Sequence, residues 1–218
     1  MKHDFLIAFK LIGTTCKLWW GDWVNQVLVS LVAVLLSLTV ILAPPSLMGI
    51  MHEMQDLSLG NRTGIAGFWQ GFKRYFGTGW LWGGVNLLAL AVLVVNIWFY
   101  GNMDSAWSPI LVVFLIFLAL FWFVMQFYSL GYFFEQEEKS FKLAWKNGFL
   151  TVLAAPVFTL VIGVFALLIT ILSLGTFLPL LVGSPALLAL LSLLAVQNRL
   201  IEYRKTPVDA EGLDHPGS

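Results

Sequence analysis

Charge is what this sequence has least of. Only 12 Lys and Arg and 12 Asp and Glu occur in 218 residues, 11% of the chain, where a soluble domain carries roughly 25%. The scarcity is also uneven. Residues 23–52 and 147–198 hold no Asp, Glu, Lys or Arg, and residues 75–134 hold only Asp104. One membrane-spanning helix needs about 20 apolar residues, so the last two stretches hold two spans each and the first holds one and part of another. Positive charge is not in excess either: the net charge is zero, which leaves a nucleic-acid role without electrostatic support. Cysteine is nearly absent. Cys16 alone excludes a disulfide framework and a cysteine metal cluster, and it reads as a small residue at the membrane edge rather than a lipidation site. The N-terminus lacks a signal-peptide pattern, because its charged segment runs to Asp22 and no A-x-A site follows the apolar run. No Walker A loop, H-E-x-x-H, G-x-S-x-G or G-x-G-x-x-G occurs.

What fills the chain is apolar and aromatic: 59% hydrophobic residues with a mean hydropathy of +0.86. This predicts an all-α, polytopic membrane bundle of five long spans and one short helix. The first span is expected over about Trp23–Ala43, ending at Pro44-Pro45, where proline denies the helix its hydrogen bonds. Pro45 can then open a short helix that turns polar and stops at Gly60-Asn61. The second span covers roughly Trp80–Tyr100. The third runs from Pro109 through Phe134 into a polar helical end with Glu135–Lys139 and Glu138–Lys142 as i,i+4 pairs. The fourth covers about Phe149–Leu172 with a kink at Pro156. The fifth starts at Pro185. Residues 1–205 form one membrane domain, and 206–218 read as a flexible cytoplasmic tail.

The hexapeptide F-x-x-[A/G]-[F/W]-K occurs at Phe5–Lys10, Phe68–Lys73 and Phe141–Lys146, each time before an apolar span. Pro45, Pro109 and Pro185 follow the motif phenylalanines by 40, 41 and 44 residues. The spacing predicts a threefold repeat over 5–62, 63–138 and 139–205. Each unit would be an interfacial helix and a two-helix hairpin, related about an axis along the membrane normal. Phe68, Gly71, Phe72, Tyr75 and Phe76 share one helical face. Phe68, Phe72 and Tyr75 are expected to anchor in the bilayer boundary while Lys73 and Arg74 meet anionic headgroups. All twelve Lys and Arg lie in 1–17, 62–74, 139–146 or 199–205, so the positive-inside rule places both termini in the cytoplasm. The segment after Pro45 must then return across the membrane, although its roughly 14 residues reach only about 21 Å as a helix. A second arrangement, five spans with the N-terminus outside, strands three lysines on the wrong side.

Polar residues inside spans are functional candidates by default. Here they are Asn25 and Gln26, Asn86 and Asn96, and Gln126, together with His52, Glu53, Gln55 and Asp56 on the short helix. His52 and Asp56 share a face, but two unlike ligands are weak evidence for a metal. Asn86 and Gln126 suit hydrogen bonds between helices. The sharpest expectation is a water-filled, cytoplasm-facing vestibule lined by His52, Glu53 and Asp56, with Asn25, Asn86 and Gln126 nearby and Arg62 and Lys73 as the charge partners. The composition calls for no metal, no catalytic residues and no cofactor.

The run P-P-S-L-M-G-I-M…L-G-N…G-F-W-Q-G-F-K-R-Y-F resembles the YesL-like family of bacterial integral membrane proteins, over about residues 5–205. The resemblance implies a bacterial inner-membrane protein associated with carbohydrate uptake, and it brings no catalytic residues. Two readings of function stand side by side. One is a non-enzymatic accessory to another membrane protein such as a sugar importer. The other is a small transporter or channel with a polar path through Asn25, Asn86, Gln126 and the His52–Asp56 helix. An intramembrane enzyme using His52, Glu53 and Asp56 is the third and weakest.

Overall fold

The computed structural model describes residues 2–211, and every regular element among them is a helix. Its elements are α1 (Lys2–Gly21), α2 (Trp23–Ser37), α3 (Ala43–Ser58), α4 (Ile65–Arg74), α5 (Phe76–Gly101), α6 (Ser108–Glu135), α7 (Phe141–Ala154), α8 (Pro156–Thr176), α9 (Leu178–Val182) and α10 (Ser184–Glu211). Among the described residues α5, α6, α8 and the Ser184–Arg204 part of α10 are each long and apolar enough to cross a membrane. A fifth span arises only if α1 and α2, which meet at an 89° bend, count as one. The chain is thus a multi-pass membrane protein.

Local chemistry corrects several expected boundaries. The first span does not reach Ala43: α2 ends at Ser37, and its 15 residues extend about 22 Å. The prolines at 44 and 45 do not stop that helix but sit in the first turn of α3, where a missing N–H leaves nothing unpaired. Pro156 breaks the fourth stretch rather than kinking it. The residue before a proline is pushed out of the helical region, and Ala155 sits at φ −129°, ψ 62° between α7 and α8. The expected ion pairs at 135–142 do not form on a helix, because α6 ends at Glu135 and α7 starts only at Phe141. Lys139 instead turns back on α6, its Nζ donating to the Phe134 and Gln136 carbonyls at 2.6 and 2.8 Å. A cation at a helix C-terminus is well placed to satisfy such carbonyls. Burial, the main influence, pulls the Lys139 pKa down. At the other end, α10 continues as helix to Glu211, past the expected start of the tail at 206; residues 212–218 lie outside the described residues.

The short helix is the centre of the molecule. Of α3, Met48, Met51, Met54 and Glu53 are within 1% of full burial, and α2, α4, α5, α6 and α10 all pack on it. A helix enclosed by protein needs no lipid-facing apolar length. By contrast, only 6% of the apolar window of α5 is buried, against 56% for α10, so α5 faces the surroundings and α10 belongs to the core.

Packing is cyclic. Helix α4 lies on α3, α7 on α6 and α1 on α10, while α10 touches both α3 and α6. In each case the small residue of the hexapeptide, Ala8, Gly71 or Ala144, is buried, and Lys10, Lys73 and Lys146 are exposed. At Gly71 the approach leaves no room for a side chain: an added Cβ would lie 3.3 Å from the Gly49 Cα and collide with His52. Gly49 in turn admits the Phe68 ring, which would stand 2.8 Å from a Cβ there. The ring of helices closes where Arg199 of α10, 4% exposed, lies over the Phe158 ring at 3.9 Å and meets Asp4 of α1 at 3.6 Å.

Candidate functional site

Apart from Asn96, the polar residues named from the sequence fall into two separate groups. The first surrounds the corner between α1 and α2. Asp22 precedes α2 without capping its backbone; it accepts instead from Asn25 Nδ2 at 2.9 Å and Gln26 Nε2 at 3.0 Å. The same Gln26 nitrogen donates to Glu53 Oε1 at 3.3 Å. One buried amide therefore joins two carboxylates. Glu53 and Gln26 are both 0% exposed, and neither Glu53 Oε2 nor Gln26 Oε1 has a hydrogen-bond partner.

This group lies in the second half of α3, level with α4 and the end of α6: Gln55 Nε2 donates to the Phe134 carbonyl, and Gln197 Nε2 bridges Ser58 and Glu135 at 3.1 and 3.0 Å. His52, Glu53 and Asp56 lie on α3, which is not among the helices long and apolar enough to cross a membrane. Burial raises the Glu53 carboxyl from 4.5 to about 7, because a charged form loses more than a neutral one on leaving water. The Gln26 hydrogen bond and the Gly64 N–H oppose the rise, and the negative charges of Asp22 and Asp56 add to it. On the neighbouring face, His52 Nδ1 is 3.7 Å from Asp56 Oδ2, which also accepts from Thr63 Oγ1 at 3.0 Å. Burial lowers the His52 pKa; Asp56 resists the change, and Arg74 and Lys139 assist it. Chemically, the group can hold a proton near neutral pH on a carboxyl that no cation meets.

Two expectations are corrected here. Arg62 and Lys73 do not supply the counter-charge: Glu53 meets an amide, Asp56 meets a hydroxyl and a histidine, and Lys73 is exposed. Nor do His52, Glu53 and Asp56 line an open vestibule. His52 and Glu53 are packed away at 8% and 0% exposure, and three cavities elsewhere among the described residues are lined by other side chains.

The second group joins α5, α6 and α7. Gln126 Oε1 accepts from Trp82 Nε1 at 3.1 Å, Trp145 Nε1 at 3.2 Å and Asn86 Nδ2 at 3.5 Å. Asn86 Oδ1 accepts from Trp122 Nε1 at 3.0 Å, and Asn86 Nδ2 also reaches the Trp82 carbonyl. Sequence reasoning named both amides but missed their indole partners. The signal was present: Trp82–Asn86 and Trp122–Gln126 are both i,i+4 pairs, neighbours on one helical face. Asn96, by contrast, only returns to its own helix at the Val92 carbonyl.

The anchor residues divide as well. Phe68, Phe72 and Tyr75 are 0%, 8% and 7% exposed, so their rings pack within the protein and not into the acyl boundary. Tyr75 meets Phe133 and Phe134 edge-on at 6.1 and 5.2 Å. The face read as lipid-binding is the face that α4 lays on α3, since both uses demand the same apolar stripe. Lys73 and Arg74 remain exposed, with Arg74 over the Tyr75 ring at 5.4 Å, and Trp69 and Phe76 are open at 37% and 40%.

Comparison with family models, with curated proteins and with solved structures finds no match for the chain.

Proposed function

We propose that the chain is a bacterial inner-membrane protein with both termini in the cytoplasm, acting as a non-enzymatic accessory to another membrane protein. A carbohydrate importer is the class of partner that the YesL-like resemblance implies. The observation that carries this reading is the use made of the polar residues. Asn86 and Gln126 are engaged by three indoles and by each other, whereas Asn25 bonds Asp22 in a separate group. A transport path needs polar groups left free to meet solute or water; these instead join helices, and the one Gln126 atom without a partner, Nε2, is buried.

A threefold repeat underlies this reading. Three supports favour it: the order α1–α2–α3, α4–α5–α6 and α7–α8–α10, the cyclic packing of α4 on α3, α7 on α6 and α1 on α10, and the buried small residue of each hexapeptide. A threonine also stands ten residues after each motif phenylalanine, at Thr15, Thr78 and Thr151. The Lys and Arg distribution supports the cytoplasmic placement of both ends.

The test is affinity purification of the tagged chain from native membranes after mild crosslinking. Stoichiometric recovery of importer subunits is the expected result. Solute flux into proteoliposomes containing this chain alone, lost in Gln126→Leu, would replace the accessory reading with the transporter.

A further inference from the structure

Between α6 and α8 the molecule holds a cleft of about 380 Å³. Phe117, Phe121 and Val124 line one wall, and Leu160 and Val164 the other. Val152 and Pro156 close it at the end where α7 breaks into α8. The polar side chain in this lining is Thr159, whose hydroxyl donates to the Thr151 carbonyl at 3.4 Å. The two spans approach at Gly163, where an added Cβ would lie 3.0 Å from Val124, and this contact forms the floor. The cleft lies between two membrane-crossing helices, so its natural filling is hydrocarbon.

Charge says which hydrocarbon-bearing molecule fits. Lys142, Lys146 and Phe149 recur at i, i+4 and i+7 and share one face of α7. The Phe149 ring meets Phe121 of the cleft wall edge-on at 5.8 Å. That contact sets Phe149 against the α6 wall of the cleft, with Lys146 and Lys142 about one and two turns earlier along the same face of α7. Both are exposed, and α7 carries no Asp or Glu; Glu137 and Glu138 precede it in the loop and are exposed. Juxtamembrane basic residues attract anionic headgroups. We infer that this cleft is a specific site for an anionic phospholipid, with an acyl chain between α6 and α8 and the phosphate at Lys142 and Lys146.

The experiment is native mass spectrometry of the full chain released from nanodiscs, delipidated in steps with phosphatidylglycerol or phosphatidylcholine as the probe. One phosphatidylglycerol per chain should survive delipidation, held at least fivefold better than phosphatidylcholine. Lys142→Glu with Lys146→Glu should remove that preference. Val164→Trp, which fills the cleft from a half-exposed position, should reduce retention of either lipid fivefold, and Leu160→Trp provides the same test if that variant is poorly folded. Lys73→Glu with Arg74→Glu, on α4, should change nothing. Soluble glycerophosphoglycerol should not displace the lipid; if it does, the site is a phosphate site without the acyl half. Equal retention of both lipids, or retention untouched by the α7 and α8 substitutions, overturns the inference.

Discussion

Replacing Glu53 by Gln should stabilise the protein at neutral and alkaline pH. Glu53 is fully buried, with the Gln26 amide and the Gly64 N–H as its donors, and faces the carboxylates Asp22 and Asp56. Its carboxyl is raised from 4.5 to about 7, so between these values the folded chain binds a proton that the unfolded chain has released. Stability therefore falls as pH rises whenever the native state binds more protons. The contribution is fully present below 4.5, is lost as pH rises through about 7 and is flat above. At about 1.4 kcal/mol per pH unit, that window amounts to roughly 3–4 kcal/mol, a large part of the 5–15 kcal/mol typical of a folded domain. Gln keeps the shape and the hydrogen bond and never ionises. The measurement is thermal unfolding of both proteins in detergent from pH 4.5 to 8.5, read as the difference between them so that other titrating groups cancel. The difference should grow in favour of Glu53→Gln up to about pH 7 and then level off. A flat difference, or a variant less stable at pH 8, refutes the argument, because it would mean that the carboxylate is paired or hydrated in the folded state.

Gly71→Leu should cost about 1–3 kcal/mol, the usual penalty for overpacking, since the site faces Gly49 and His52, while Gly77→Leu, with open space around it, should be near neutral; thermal unfolding separates them. Arg199→Met should lower stability by about 2–3 kcal/mol, from the loss of a largely buried charge pair and a cation–π contact, and Asp4→Asn should cost less because Asp4 is the more exposed partner. In a Cys16→Ser background, Ser105→Cys should react with a membrane-impermeant thiol reagent in intact cells and Lys2→Cys and Ser140→Cys should not; labelling at Lys2 with protection at Ser140 would replace the topology by five spans with the N-terminus outside.

Much of the architecture is legible from local pattern. Apolar runs set α5, α6, α8 and α10, because an uninterrupted uncharged helix of that length has only a bilayer to lie in. The prolines at 45, 109 and 185 mark helix starts through their missing N–H alone. The amides at 86 and 126 are recognisable because a polar group among apolar neighbours must find a partner.

What pattern leaves open is the partner itself, and tertiary structure decides it. The face of Phe68, Phe72 and Tyr75 is apolar whether it meets lipid or protein; only the close approach allowed by Gly49 and Gly71 turns it onto α3. The 16-residue α3 becomes the centre because α2, α4, α5, α6 and α10 enclose it, and no property of residues 43–58 taken alone requires that enclosure. Glu53 looked destined for Arg62 or Lys73, its nearest cations in sequence, but the bend at Asp22 brings Gln26 there instead. Composition and periodicity determine which segments leave water. Which buried groups then meet is a matter of contacts between distant segments, and those are set by the shapes that can pack together.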